Sequence, residues 1–299
     1  QVFKDQFAGT DSYYMFLGKS SPFSSLDATN ASDSSPPIPV DDVASEYYYH
    51  DDMLAAKKLT SSDVSFVIPR RNWVNQGTFD MYEHDISSTN TTTSSATNLY
   101  NSTFYFVTSE FRVYKVLDNN GGTAMSSGSE PTSESTSAFA SGGYVLKYMY
   151  KISASDAAKF NTTDFIPVQT DSTVSAAATD GAIESLVVTA GSGYTDGTYY
   201  AAVFGDGTSQ GTSSGAVIRI TVTSGSIQSF GLTAGTDTTI NSAGAGYTFG
   251  TVNLGDDFIF SDSSLSSSTT LGASGTGGAI EVIISPKEGH GNDATEELG

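Results

Sequence analysis

The chain has 299 residues, 37% of them hydrophobic and 15% charged, and its 33 acidic and 13 basic residues leave a net charge of −20. The length allows one large or two ordinary domains, and the acidic excess argues against nucleic acid and against an anionic membrane surface as partners. The absence of cysteine excludes a disulfide scaffold and thiolate metal sites, and no apolar run is long enough for a transmembrane helix.

The first 60 residues combine an apolar stretch, a polar loop and a helical pattern. Tyr13–Leu17 is typical of a buried strand, and residues 20–39 are polar and contain prolines, which indicates a loop. Two aspartates then suit a helix start, and apolar residues follow at helical spacing. The sequence therefore predicts a helix over residues 42–58.

The next apolar run, Val64–Ile68, predicts a short buried strand that Pro69 ends, because proline has no N–H for a β-ladder. Arg70, Arg71 and the only tryptophan, Trp73, follow at once. Arginine and tryptophan are enriched at interface hot spots, so this stretch is a candidate interface. The alternative is a cluster within the domain, with the tryptophan in the core and the arginines paired to nearby acids.

Aromatic and β-branched residues predict further strands, with loops rich in Ser, Thr and Gly between them. Ser155 suits the N-cap of a short helix through Lys159. The predicted strands cover residues 78–82, 104–108, 111–117, 143–152 and 165–168.

The composition changes near residue 170, and an internal duplication follows. Residues 182–195 match residues 226–235 and 244–248 at an initial offset of 44 residues. Each copy has the pattern strand, Gly-x-Gly-Tyr turn, strand, loop, strand, which is typical of a β-repeat. The last strands are predicted at 216–222 and 279–284.

The sequence contains no strong motif for catalysis or metal binding. Residues 211–215 fit the G-x-S-x-G pattern, but a strand follows where a nucleophile elbow needs a helix. His50, His84 and His290 have no second ligand at a recognisable spacing, which favours structural or solvent roles. No catalytic residue, metal or cofactor is predicted, and an enzyme is the least favoured class.

Four stretches carry a family resemblance, which begins with Phe16–Ser25 and includes Val67–Trp73, Val113–Asp118 and Gly143–Ile152. In this order they resemble motifs of the baseplate wedge protein of T-even-type tailed phages, the product of gene eight. Phe23 stands where the family motif has tryptophan, and Lys19 is the basic residue of that motif. The segment at 285–291 resembles cyanophage relatives of the same protein.

The resemblance implies a non-enzymatic virion protein of a contractile tail. It implies a dimer within each wedge, contacts with the products of genes six, seven and ten, and a link from the inner wedge to the baseplate periphery. Assembly would take place in the host cytoplasm. The candidate interface residues are Arg70, Arg71, Trp73, Phe23 and Lys19.

The expected fold class is mainly β: a layered β-sandwich body with short helices in loops, and a β-repeat region rich in Gly, Ser and Thr. The expected domains are a body over 1–170, the duplicated repeat over 171–285 as an insertion or expansion, and a C-terminal segment, 286–299, that is cut short. The alternative function is a phage or secreted surface adhesin that binds host glycans, because exposed aromatic residues of the repeat can stack on sugars.

Overall fold

Antiparallel β-strands joined by turns and loops form much of the described chain. The computed structural model describes residues 6–7, 9, 12–18, 20–38 and 53–299. The chain divides into two units, Gln1–Phe66 and Val67–Gly299, and each is described by itself. The mainly β class predicted from the sequence is confirmed.

The first unit contains a two-stranded antiparallel ribbon. Strand β1 (Tyr13–Gly18) pairs with strand β2 (Met53–Leu59), and a 3-10 turn follows at Ser61–Asp63. Residues 20–38 form a loop, as predicted. The strand predicted at 13–17 is confirmed, but its predicted burial is wrong, because Tyr14 and Leu17 are 63% and 64% exposed.

The helix predicted over 42–58 is wrong where the structure describes it. Residues 42–52 lie outside the described residues, and residues 53–58 belong to β2. Ala56 pairs with Phe16 and Leu59 with Tyr13. Pairing with β1 satisfies the backbone groups of this short segment, and seven residues are too few for helical propensity to compete.

The second unit contains fifteen strands and three α-helices within its described residues. The helices are α1 (Ala154–Phe160), α2 (Ser172–Ala177) and α3 (Ala294–Leu298). The strands are β3 (Val67–Pro69), β4 (Tyr105–Val107), β5 (Arg112–Asp118), β6 (Phe139–Ser141), β7 (Tyr144–Lys151), β8 (Phe165–Pro167), β9 (Ile183–Ser192), β10 (Gly197–Gly205), β11 (Ala216–Thr223), β12 (Ser226–Ile227), β13 (Thr239–Ala243), β14 (Gly250–Val252), β15 (Ile259–Phe260), β16 (Ser268–Thr269) and β17 (Thr276–Ile284).

A four-stranded antiparallel sheet with the order β4-β5-β7-β6 forms the first part of this unit. Its large aromatic side chains are almost fully buried, among them Phe106, Tyr114, Tyr144 and Tyr150. β3 and β8 form a separate two-stranded ribbon. The strands predicted at 104–108, 111–117, 143–152 and 165–168 are confirmed with small shifts of their ends.

Other local predictions need correction. The strand predicted at 78–82 is not formed. Residues 79–82 are buried, but two of their N–H groups bond to side chains: Phe79 N–H donates to the Tyr144 hydroxyl (3.3 Å) and Asp80 N–H to the Thr103 hydroxyl (3.1 Å). The strand predicted at 64–68 is the shorter β3, whose partner β8 has only three residues. The predicted short helix starts at Ala154, with Ser153 as its N-cap.

The duplicated segment folds so that each copy completes the other. The first copy supplies β9, β10 and β11, and the second supplies β12, β13, β14 and β17. β9 pairs with β17, and β11 pairs with β12 and β13. The first strand of each copy therefore pairs with the last strand of the other copy, and the middle strands β10 and β14 also pair. The two copies are interlocked by a reciprocal exchange of strands.

The tyrosines of the Gly-x-Gly-Tyr turns secure this exchange in the same way in both copies. The Gly278 N–H of β17 donates to the Tyr194 hydroxyl at 2.9 Å. The Ala216 N–H of β11 donates to the Tyr247 hydroxyl at 3.1 Å. In each case the tyrosine of one copy holds the last strand of the other.

The first glycine of each turn makes room for the tyrosine ring. Gly191 and Gly244 have φ values of 59° and 63°, a conformation that side chains other than glycine rarely adopt. A Cβ at either position would lie 2.7 Å from a ring carbon of the tyrosine in the same turn. Glycine and tyrosine are therefore required together.

The buried core of the repeat region includes residues of the four-stranded sheet. Leu117 of β5 and Val145 of β7 lie in the same apolar cluster as Leu186, Ile218 and Val282. The domain boundary at 170/171 stays a prediction. If the repeat region were removed, the body would expose the apolar side chains that it contributes to this shared cluster.

Candidate functional site

The candidate site is the corner formed by Arg70, Arg71 and Trp73, where β3 ends. The Arg71 carbonyl accepts from the Val107 N–H at 2.7 Å, and the Trp73 N–H donates to the Val107 carbonyl at 2.9 Å. The Tyr105 hydroxyl donates to the Pro69 carbonyl at 2.6 Å. These bonds fix the corner backbone against β4, so both arginine side chains leave a well-held segment.

The Arg70 guanidinium bonds to neutral oxygens. Its Nε donates to Asn72 Oδ1 at 2.8 Å, and its Nη1 donates to Asn161 Oδ1 at 3.2 Å and to the Thr162 carbonyl at 3.0 Å. No carboxylate of the described residues forms an ion pair with it. The side chain is positioned by α1 and the following turn, and its charge remains uncompensated there.

Arg71 and Trp73 each hold a buried donor. Arg71 Nη2 donates to the Tyr100 carbonyl at 2.7 Å, and its guanidinium carbon lies 5.5 Å from the centre of the Tyr105 ring. Arg71 Nε and Trp73 Nε1 are buried and have no hydrogen-bond partner among the described residues. A buried donor without a partner costs about 1–3 kcal/mol, so the corner carries unused bonding capacity.

Exposed apolar side chains flank the corner. Ile68 and Ile166 point into the core from the β3–β8 ribbon, whereas Val67 and Phe165 remain more than two-fifths exposed. Tyr100, whose carbonyl binds Arg71, is 61% exposed. Guanidinium groups bind carboxylates in a bidentate manner, so this arrangement suits an acidic partner with an apolar contact area.

The other two candidate interface residues belong to the first unit. Phe23 is half-buried, and its N–H donates to Asp33 Oδ1 at 2.8 Å. Lys19 lies outside the described residues. The structure therefore brings together Arg70, Arg71 and Trp73 but gives no common site for all five candidates.

A buried charged cluster, which sequence reasoning did not find, joins α3 to β5. Lys115 is fully buried, and its Nζ lies 3.2 Å from Glu297 Oε1, 2.9 Å from His290 Nδ1 and 3.7 Å from the centre of the Tyr82 ring. Glu297 also accepts from the Gly291 N–H at 3.0 Å. A lysine in the middle of an apolar strand is the signal for such a cluster, because a buried charge requires a partner.

The pKa shifts show which members of this cluster are charged. Burial lowers the pKa of Lys115 to about 8, although Glu297 opposes the shift. Burial alone would raise the pKa of Glu297, but the charge of Lys115 and the contacts with His290 and the Gly291 N–H together outweigh it and lower that pKa. Burial and the charge of Lys115 lower the pKa of His290, so this imidazole is neutral at neutral pH and accepts a hydrogen bond from Lys115. The cluster is an ion pair with a neutral imidazole, arranged to hold α3 on β5.

The remaining sequence candidates do not assemble into a site. Ser213 lies in a turn that leads into β11, so the strand-to-helix context of a nucleophile elbow is not formed. His84 is exposed, and His50 lies outside the described residues. Within the described ranges, no group of three His, Cys, Asp or Glu side chains could hold a metal ion, and no helix is long and apolar enough to cross a membrane.

A known protein family matches the N-terminal part of the chain. Residues 5–128 match the family model Phage-Gp8, described as Bacteriophage T4, Gp8. This match confirms the resemblance to the gene-eight baseplate wedge family. It covers about two-fifths of the chain, including the corner and three of the four stretches, but not residues 143–152. No curated protein and no solved structure matches the chain.

The family match bears on the general role. It supports a structural protein of a phage tail baseplate that interacts with other baseplate proteins in the virion. The match gives no support to a cyanophage origin, which stays a prediction from the sequence alone.

Proposed function

We propose that this protein links the inner wedge of the baseplate to the baseplate periphery and forms a dimer within each wedge. The match of residues 5–128 supports a structural role in the baseplate wedge, and the family resemblance implies the linking role, the dimer and contacts with the products of genes six, seven and ten. Assembly takes place in the host cytoplasm. The mechanism is geometric: the protein holds neighbouring subunits in fixed positions and has no catalytic step.

The observation that carries the proposal is the uncompensated positive charge of the corner. Arg70 and Arg71 bond to neutral oxygens within the described residues, and exposed apolar side chains surround them. In a chain with a net charge of −20, carboxylates are plentiful on a second copy. Arginine and tryptophan anchors that lose water in such a contact contribute strongly to binding. Phe23 and Lys19 stay interface candidates because they lie in a family motif.

Assembly of variants tests this proposal. The double substitution Arg70→Ala, Arg71→Ala should prevent entry into baseplates, while the melting temperature of the isolated protein changes by only a few degrees. Arg219→Ala is the matched control, because its guanidinium bonds to Thr198 and Thr221 hydroxyls far along the chain. A double variant that assembles normally would contradict the proposed interface. A large fall in melting temperature with normal assembly of the folded fraction would assign the corner to internal stability.

The adhesin is the second candidate function, and exposed aromatic residues of the repeat favour it. Phe249 is 59% exposed, and aromatic faces can stack on sugar rings. A glycan array probed with the full chain separates the two functions. Specific glycan binding without incorporation into baseplates would favour the adhesin.

We also propose that residues 171–285 are a separable β-repeat region added to a body formed by 1–170. The interlocked strand exchange supports this division, because both copies satisfy each other within the region. The segment 286–299 contacts the body through Glu297 and Lys115. Limited proteolysis should cut between residues 170 and 182 first, and cleavage at equal rates throughout would count against the division.

A further inference from the structure

Three phenylalanine rings lie near the surface where β10 meets β14. Phe204 is half-buried, and its ring packs edge-on against Phe258 with the ring centres 5.6 Å apart. Phe249 immediately precedes β14, whose Gly250 pairs with Gly205. Phe249 and Phe258 are 59% and 36% exposed. Single exposed apolar residues are ordinary, but several together are typical of an interaction surface. Phe204, Phe249 and Phe258 form the phenylalanine patch.

Carboxylates border the phenylalanine patch on two sides. Asp256 and Asp257 are exposed in the 3-10 turn that ends at Phe258. On the other side, Asp206 accepts from the Thr248 N–H at 2.8 Å and from the Thr248 hydroxyl. These bonds fix the backbone next to Phe249 and leave the carboxylate at the surface.

The charge of the whole repeat region has the same sign. Residues 171–285 contain ten acidic residues and one basic residue, a net charge of −9. The basic residue, Arg219, bonds to the Thr198 and Thr221 hydroxyls. An anionic ligand is therefore repelled from this region, and a cationic one is attracted.

We propose that the phenylalanine patch docks a cationic segment of a partner protein, one that presents arginine or lysine side chains. A guanidinium group stacks on an aromatic face while its charge meets neighbouring carboxylates, and the patch offers both features together. The inference rests on the proposed function, because another baseplate protein is the partner that the region meets. It adds that this partner presents cationic side chains, and it places the contact at a surface outside the matched residues 5–128.

A neutral glycan is the alternative ligand, and the salt dependence of binding distinguishes it from a cationic segment. Stacking of a sugar ring needs the aromatic face but gains little from the aspartates, so its affinity changes little with salt. A cationic segment binds more weakly as salt rises, because exposed charges are screened over about 10 Å at 0.1 M ionic strength. Replacing arginine by citrulline removes the charge and keeps the shape.

Calorimetric titration of the full chain tests the proposal. The probes are an alternating arginine–glycine octapeptide, the same peptide with citrulline, and maltoheptaose. We expect the arginine peptide to bind, with weaker binding at high salt, and the other two probes not to bind. Phe249→Ala with Phe258→Ala should weaken the arginine peptide about tenfold. Asp256→Asn with Asp257→Asn should weaken it and reduce its salt dependence.

Leu232→Ala is the control for the phenylalanine substitutions, because Leu232 is 44% exposed in the same acidic region. It should leave the affinity unchanged. Three results would overturn the proposal: no binding of the arginine peptide, equal binding of citrulline or maltoheptaose, or an unchanged affinity of the phenylalanine double variant. The last result would mean that net charge alone attracts the peptide. If the wild-type chain binds the peptide but is absent from baseplates, the proposed function fails and the binding chemistry stands.

Discussion

At the scale of single residues, Asp80 stabilises the loop before β4 through four hydrogen bonds. Its carboxylate accepts from the Ser94 N–H and hydroxyl at 2.7 and 2.6 Å, the Ser102 hydroxyl at 3.0 Å and the Thr103 N–H at 2.8 Å. Burial alone would raise the pKa of Asp80, but these bonds outweigh it and lower the pKa. The carboxylate is therefore ionised in the folded protein at neutral pH.

The substitution Asp80→Asn should destabilise the protein in a pH-dependent way. A carboxyl group with a folded pKa below its unfolded pKa contributes stability that is present above the unfolded pKa and lost as the pH falls through the folded pKa. We expect a loss of about 1–3 kcal/mol at neutral pH and a smaller loss below about pH 4. Urea unfolding at both pH values measures it. Asp164→Asn, at an exposed side chain, should change little, and an equal loss at both pH values for Asp80→Asn would contradict the account.

The Lys115–Glu297 pair should show strong coupling. Removing one partner leaves a buried uncompensated charge, so Lys115→Met or Glu297→Gln alone should cost about 3–5 kcal/mol of unfolding free energy. The double variant should cost clearly less than the two single losses together. Lys57→Ala is the control, because the Lys57 side chain is 60% exposed in its ion pair with Asp63 and its loss should cost below about 1 kcal/mol. Additive losses in the buried pair would show that the two charges do not depend on each other.

At the scale of elements, both tyrosines of the repeat turns should contribute to stability. Tyr194→Phe and Tyr247→Phe each leave one strand N–H without its acceptor, so each should cost about 1–3 kcal/mol. Tyr200→Phe is the control, because no hydrogen bond of its hydroxyl occurs within the described residues. Chemical denaturation of the three variants measures the effect. A loss for only one of the two tyrosines would contradict a reciprocal exchange.

Local patterns in the sequence predict strands well where aromatic and β-branched residues are dense, as in β5, β7 and β11. The duplication can also be recognised in the sequence, but the strand exchange cannot. Strands of similar sequence give no local indication of whether they pair within their own copy or with the other copy. The helix over 42–58 is wrong at its end, since pairing with a distant strand decides the structure of Met53–Leu59. The sequence singles out Arg70, Arg71 and Trp73, whereas their acceptors lie up to 92 positions away and follow no spacing rule.

At the scale of the whole molecule, the two proposed surfaces have opposite charge, and only one of them lies within the family match. The corner is cationic and lies within the residues that match the wedge family. The phenylalanine patch is bordered by acids and lies in the repeat region, outside that match. We therefore expect the corner to make contacts common to wedge proteins and the patch to make contacts specific to chains that carry this repeat.

An electron cryomicroscopy map of the intact particle would decide whether this chain acts as a baseplate wedge subunit. We expect this chain in the tail baseplate, with two copies in contact within each wedge and with Arg70, Arg71 and Trp73 against a neighbouring subunit. A map that places the chain outside the baseplate, or that leaves this corner facing solvent in every copy, would contradict it.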